Sequence, residues 1–268
     1  MTASSPEAGE DALSRLDTTA AHSARVWNYL LGGKDHFAAD RETGDLILQM
    51  FPGIALLARL QRRFLVRSVR YLAAEAGIRQ FLDIGTGLPT ADNTHEVAQA
   101  IAPESRIVYA DNDPMVLVHA KALLTSAPGG ATSYVEADVR DPDTILARAT
   151  EALDFSQPVA LVMLGIFGQL PDADEPHALA RRYLDALPAG SCLALCDGSD
   201  VSPALNEAIA VYNQNSASSY HLRSPEQIAG YFEGLTLVPP GIVPVSQWRG
   251  EPEDPAGQDA TVCGIGFK

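Results

Sequence analysis

From Phe81 onward the chain alternates between short apolar runs and longer stretches with helical periodicity. The runs FLDIG, RIVYA, TSYVEA, VALVMLG and SCLALCD are each followed by Gly, Asp, Thr or Pro within a few residues. Largely unbroken apolar runs of this length suit strands covered by helices on both faces. Between them the spacing predicts helices over 93–101, 114–124, 141–152 and 175–187. Pro114 falls at a first-turn position, where its missing N–H costs nothing. Strands and helices alternating at this period imply a parallel sheet with right-handed crossovers, hence a doubly wound, Rossmann-like α/β fold.

Both ends of the chain depart from that rhythm. Residues 1–20 are rich in Ala, Ser, Thr and Glu without periodicity, which predicts a disordered tail. ARVWNYLLGG predicts a short helix closed by Gly32 and Gly33, KDHFAADRETGDLILQMF a second helix, and Ile54 to Ala76 a third. Residues 21–78 therefore form an expected helical lid ahead of a main domain at 79–268. After Asp197 a helix over 202–216 is an expected insertion. Ser224-Pro225-Glu226-Gln227 has the form of a capping box. LTLVPP, GIVPVSQW and ATVCGIGFK predict strands separated by Pro and Gly turns, with residues 250–259 as an exposed loop.

Composition narrows the partners. With 268 residues, 46% of them hydrophobic, the chain can build one large core with a modest appendage. The formal net charge of -15 repels phosphate backbones and anionic lipid, so neither nucleic acid nor a membrane is an expected partner. A small molecule is. Cys192, Cys196 and Cys263 form no CxxC pair, so no metal site is expected and the first two read as buried strand residues. The N-terminal residues lack the apolar stretch of a signal peptide, and the longest apolar run, 158–170, is too short to span a bilayer. A cytoplasmic location is the expectation.

The chemistry concentrates at strand ends. In FLDIGTGLPT a strand delivers Asp83, and Gly85, Thr86 and Gly87 then turn the backbone tightly, leaving N–H groups to face a nucleotide-like ligand. Asp111, with Asn112 beside it, ends the second strand, where a carboxylate can accept both hydroxyl protons of a ribose. Asp138 and Val139 end the third strand, placed for the exocyclic amine and the face of an adenine. Gly165 ends the fourth. Each acidic residue has a plainer alternative as the cap of the following helix.

A dinucleotide fingerprint needs a third glycine where Thr90 stands, and Asp83 would repel a pyrophosphate. The same carboxylate suits the cationic amino group of S-adenosylmethionine, whose spent form is S-adenosylhomocysteine. A nicotinamide-dependent oxidoreductase is thereby the weaker alternative.

ARVWNYLLGGKDHFAADRE, FLDIGTGLPT, VYADNDPMVLVHAKALL and FEGLTLVPPGIVPVSQW together resemble an actinobacterial S-adenosylmethionine-dependent methyltransferase-like family formerly known as a domain of unknown function. The resemblance covers nearly the whole chain from about residue 22. It implies a class I methyltransferase fold of about seven strands with the last one reversed, and cofactor binding through Asp83 to Gly87, Asp111 and Asp138. Relatives carry a histidine-containing stretch after the fourth strand, where this chain has GIFGQLPD. Gln169 there can orient a substrate but cannot take a proton at neutral pH.

The block NYLLGGKDHFAADRE gathers polar side chains around two glycines, so His36 is the expected base and Tyr29 its expected companion. His95, early in the helix after the glycine loop, is a second substrate-side expectation. The alternative for all three is ordinary packing. Methyl transfer from a sulfonium can proceed largely by positioning, so no triad or dyad is needed. Without an Asn-Pro-Pro-aromatic signature after the fourth strand, nucleobase or glutamine amino groups are poor acceptors, leaving an oxygen or nitrogen on a small molecule. A non-catalytic sensor of the cofactor is the rival from another class.

Overall fold

A computed structural model describes residues 16–123, 125–216, 218–251 and 260–268. Eight strands form one sheet: β1 (Gln80–Ile84), β2 (Arg106–Asp111), β3 (Ala131–Glu136), β4 (Ala160–Leu164), β5 (Cys192–Gly198), β6 (Thr236–Leu237), β7 (Val243–Pro244) and β8 (Thr261–Phe267). Their order is β3-β2-β1-β4-β5-β8-β6, with β7 also on β8. β1 to β5 are mutually parallel, whereas β8 runs antiparallel to β5, with Cys196 opposite Cys263. β6 and β7 pair with opposite ends of β8, so together they fill the seventh position of the expected sheet. GIVPVSQW yields only the two residues of β7, after which the Val245 N–H still donates to the Thr261 carbonyl at 2.9 Å.

The apolar runs of the central strands are largely unbroken because β1, β2, β4 and β5 are buried on both faces, whereas the edge strand β3 is only half-buried. Phe81, Ile107, Val162 and Ala194 join the core on one face, and Leu82, Val108, Leu161 and Leu193 the core on the other. The cysteines are free and buried in these strands.

The helices are α1 (Ser23–Leu30), α2 (Ala38–Met50), α3 (Ile54–Ala74), α4 (Thr94–Ile101), α5 (Pro114–Leu123), α6 (Pro142–Ala149), α7 (Pro176–Ala186), α8 (Pro203–Asn215) and α9 (Pro225–Gly230). The capping box is present: Ser224 Oγ accepts from the Gln227 N–H at 3.2 Å, and Gln227 Oε1 accepts from the Ser224 N–H at 2.8 Å. α2 starts four residues later than its polarity pattern predicts. The buried Asp40 carboxylate accepts from the N–H groups of His22 (2.9 Å) and Phe37 (2.8 Å), which fixes the first turn there.

α3 is a layer of the main core. Leu60, Phe64 and Leu72 are fully buried, and Arg67 donates to the carbonyls of Val245 (2.8 Å) and Trp248 (3.0 Å). The expected tail is corrected for residues 16–20, since Arg25 donates to the carbonyls of Asp17 (3.0 Å) and Ala20 (3.2 Å) and Leu16 packs near Leu88. Its first fifteen residues, and most of the expected 250–259 loop, lie outside the described residues. Among the described residues no single helix is long and apolar enough to cross a membrane.

Candidate functional site

At the C-terminal ends of β1 to β5 a cavity of about 530 Å³ opens under α1, α2 and α8. The loop after β1 forms its floor. Gly85 (φ +73°) and Gly87 (φ +65°) both take left-handed conformations that a side chain disfavours. They are glycine for different reasons. A Cβ on Gly85 would lie 2.5 Å from Ile166 Cδ1, so its hydrogen makes room for the loop after β4. A Cβ on Gly87 would meet nothing within 4 Å, and it would project into empty space. That open cradle fits a ligand approaching the backbone.

Asp83 is buried beneath this loop, and its Oδ2 accepts from the Thr94 hydroxyl at 2.5 Å. Burial pushes its carboxyl up to about 6, opposed by the Thr94 hydrogen bond and the nearby Arg62 guanidinium. Arg62 lines the cavity from α3, anchored by donation to the carbonyls of Ala91 (2.9 Å) and Asp92 (3.1 Å). Nothing in its helical spacing marks it as functional, and the sequence reading missed it. A buried carboxylate beside one guanidinium is a pair of complementary anchors for a zwitterionic ligand.

Asp111 accepts from the Gly87 N–H at 2.9 Å and the Asp113 N–H at 2.9 Å. Burial raises its carboxyl, and those two N–H groups oppose the rise. The cap of α5 is Asp113, which accepts from the Met115 N–H at 2.9 Å, so Asp111 is left to the loop and the cavity. Asp138 behaves likewise: Asp141, not Asp138, caps α6 by accepting from the Thr144 N–H at 3.1 Å. Asp138 instead accepts from Asn112 Nδ2 (3.0 Å) and the Arg140 N–H (2.9 Å). Val139 lines the cavity next to it. Gly165 packs against Gln61, whose Nε2 would be 2.8 Å from a Cβ there.

Asp83, Gly85, Thr86, Gly87, Asp111, Asn112, Asp138, Val139, Gly165 and Gln169 thus all line this one cavity. Three expected residues do not. The Tyr29 hydroxyl donates to Asp45, and its ring meets His36 edge-on with centroids 5.1 Å apart. His36 Nε2 lies 3.1 Å from the Gly33 carbonyl. His95 is buried against Tyr109, whose hydroxyl is 2.9 Å from its Nδ1, and burial lowers its pKa. None of the three is among the residues that line the cavity, and the structure joins them to Asp45, Gly33 and Tyr109 instead.

The loop after β4 is held by a hub at the end of β5. Asp197 accepts from the Tyr220 hydroxyl, from the Gly168 N–H (3.0 Å) and from the Gly198 N–H (3.2 Å). Burial pushes its carboxyl up to about 6, opposed by these bonds and by Arg223. Arg223 donates to the carbonyls of Phe167 (2.7 Å) and Leu170 (2.7 Å), clamping the same loop from outside. Apart from the adjacent Gly198, these partners lie more than twenty residues apart, so no local motif announces them.

The profile of a family described as S-adenosyl methyltransferase matches residues 9–268. The crystal structure of a DUF574-family protein from Streptomyces avermitilis MA-4680 is 42% identical, with a TM-score of 0.91 over 95% of this chain and 100% of that one. A candidate methyltransferase from Thermobifida fusca YX is 41% identical, with a TM-score of 0.86 over 94% of this chain and 96% of that one. A candidate S-adenosyl-L-methionine-dependent methyltransferase from Mycobacterium avium (strain 104) is 34% identical over 135 residues, 49% of this chain and 39% of that protein. The match therefore spans well under half of that curated relative.

Proposed function

The chain belongs to the S-adenosyl methyltransferase family, and on that premise we propose that its cavity seats the cofactor over β1 to β3 and methylates an oxygen or nitrogen of a small molecule held under α1 and α8. The observation that carries the reading is the empty space beside Gly87, bounded by the Asp83 and Asp111 carboxylates of the same cavity.

The residues fit the cofactor's chemistry piece by piece. The Asp83 carboxylate would hold the methionine ammonium, and the Arg62 guanidinium its carboxylate. Asp111 would take the ribose hydroxyls; each of its oxygens has a second lone pair beyond the backbone N–H it already accepts. Asp138 would accept from the adenine amino group, with Val139 against the base. When bound, the group supplies an electrophilic sulfonium methyl. The chain's own part is to orient the acceptor and exclude water, through the loop after β4 that Asp197, Tyr220 and Arg223 hold rigid.

Calorimetric titration with S-adenosylmethionine and S-adenosylhomocysteine, with NAD as control, tests the site. Micromolar binding of both and none of NAD is the expected result; binding of NAD alone would overturn it.

A further inference from the structure

Away from the cofactor end, the cavity wall changes character. The lining residues supplied by α1, α2, α8 and the 218–222 segment, Trp27, Ile47, Ile209 and Tyr212 among them, include none with a charge. The lining residues with acidic, basic or imidazole side chains, His22, Arg62, Asp83, Asp111, Asp138 and Arg140, belong to the cofactor half or its edge. An ionised acceptor would have to leave water for this apolar wall with nothing to neutralise it, a large penalty.

Polar residues interrupt the wall, Asn28, Gln61, Gln169, Ser218 and Ser219 among them, and of these the buried Gln169 Oε1 and Ser218 Oγ lack a hydrogen-bond partner among the described residues. Ser219 also lines the cavity, and its Oγ lies 3.0 Å from His221 Nε2. Gln169 and Ser219 occupy the same stretch of wall: the His221 N–H donates to the Gly168 carbonyl at 2.6 Å, and the Tyr220 ring rests on Gly168. A buried amide oxygen without a donor is rare and costly, because the water it gave up is not replaced. Gln169 therefore carries an unmet acceptor oxygen in the wall of this half, and the Ser219 hydroxyl of the same cavity can serve the same group.

We propose that the methyl acceptor is a neutral, mostly apolar ring compound whose reacting group is itself a hydrogen-bond donor, a hydroxyl or an uncharged amine, seated on Gln169 Oε1 with Ser219 as second contact. The assignment rests on the cofactor reading above, which fixes which half of the cavity is left for the acceptor.

The test is calorimetry with 2-naphthol, 2-naphthylamine, 2-methoxynaphthalene and 2-naphthoate, with and without saturating S-adenosylhomocysteine. The naphthol or the amine should bind at least tenfold more tightly than the ether, which lacks a donor, and the naphthoate, which is an anion. Gln169→Leu and Ser219→Ala should each weaken the preferred probe fivefold or more while leaving S-adenosylhomocysteine within twofold. Gln169→Met, closer in length, replaces Gln169→Leu if that variant loses the cofactor. Naphthoate or the ether binding as well as the naphthol and the amine, or either variant leaving the preferred probe unchanged, would overturn the proposal. Failure of S-adenosylhomocysteine to bind would instead strike the cofactor reading, and the ranking of probes would still decide the acceptor class.

Discussion

Asp111 and Gly87 are joined by a 2.9 Å hydrogen bond from the glycine N–H to the carboxylate Oδ2, tying the end of β2 to the loop after β1. One carboxylate thus shapes the glycine loop and faces the cavity that the loop borders. Asp111→Ala removes both functions. S-adenosylhomocysteine affinity should fall tenfold or more, about 1.4 kcal/mol, and calorimetry reads it directly. A loss of stability with affinity intact would reduce Asp111 to a loop tie.

The glycines offer a control of their own. Gly87→Ala forces a side chain onto φ +65° and fills the open cradle, whereas Gly129→Ala strains φ +94° in the turn before β3 with equally open surroundings. Both should lose about 1 kcal/mol of stability from the left-handed backbone. Only Gly87→Ala should lose the cofactor. Equal binding by the two variants would mean that nothing approaches the backbone at Gly87.

Asp83 makes binding pH-dependent with a definite sign. Its carboxyl is raised from 3.8 to about 6 in the folded chain, because burial penalises the charge. The folded state therefore favours the protonated form. The stabilisation it gives is fully present below pH 4 and disappears as pH rises through about 6. A cationic amino group reverses the preference. Affinity for S-adenosylhomocysteine should rise between about pH 5 and 7 with release of a proton, and Asp83→Asn should flatten that rise. Removing the Arg62 charge with Arg62→Met should shift the rise to higher pH, since that guanidinium favours the ionised carboxylate. Calorimetry in buffers of different ionisation enthalpy measures both effects.

Much of the fold was legible because burial on both faces left a strong mark on β1, β2, β4 and β5, while the half-buried β3 was marked by its place in the alternation, and each following helix begins at a recognisable cap or first-turn proline. The short β6 and β7 were harder, since each spans only two residues and leaves little alternation to read. That Asp83, Asp111 and Asp138 line one cavity was legible for a related reason. Asp83, Asp111 and Asp138 stand at strand ends, and topology alone carries strand ends to one side of a doubly wound sheet. His36, Tyr29 and His95 were misplaced because polarity along a helix does not say which neighbour spends it; Asp45, Gly33 and Tyr109 do. Arg62 and the Asp197–Tyr220 contact join distant segments, and a single sequence holds no record of such meetings.

That last contact carries the final prediction. The Tyr220 hydroxyl donates to Asp197 and accepts from the Gly198 N–H at 3.1 Å, so it connects β5 to the segment after α8. Tyr220→Phe leaves Asp197 with backbone donors only, and the carboxyl, already raised from 3.8 to about 6, should rise further. At pH 8 the variant must bury an ionised carboxylate that has lost its phenolic donor, a penalty of about 1–3 kcal/mol. At pH 5 Asp197 is mostly protonated in both proteins, so the missing donor matters less. Thermal melts of the two proteins should therefore separate widely at pH 8 and converge toward pH 5. The Gly168 N–H remains on Asp197, so cofactor affinity should hold while the loop after β4 loosens and acceptor binding weakens. Parallel melting curves at both pH values would mean that the hydroxyl contributes packing rather than charge stabilisation.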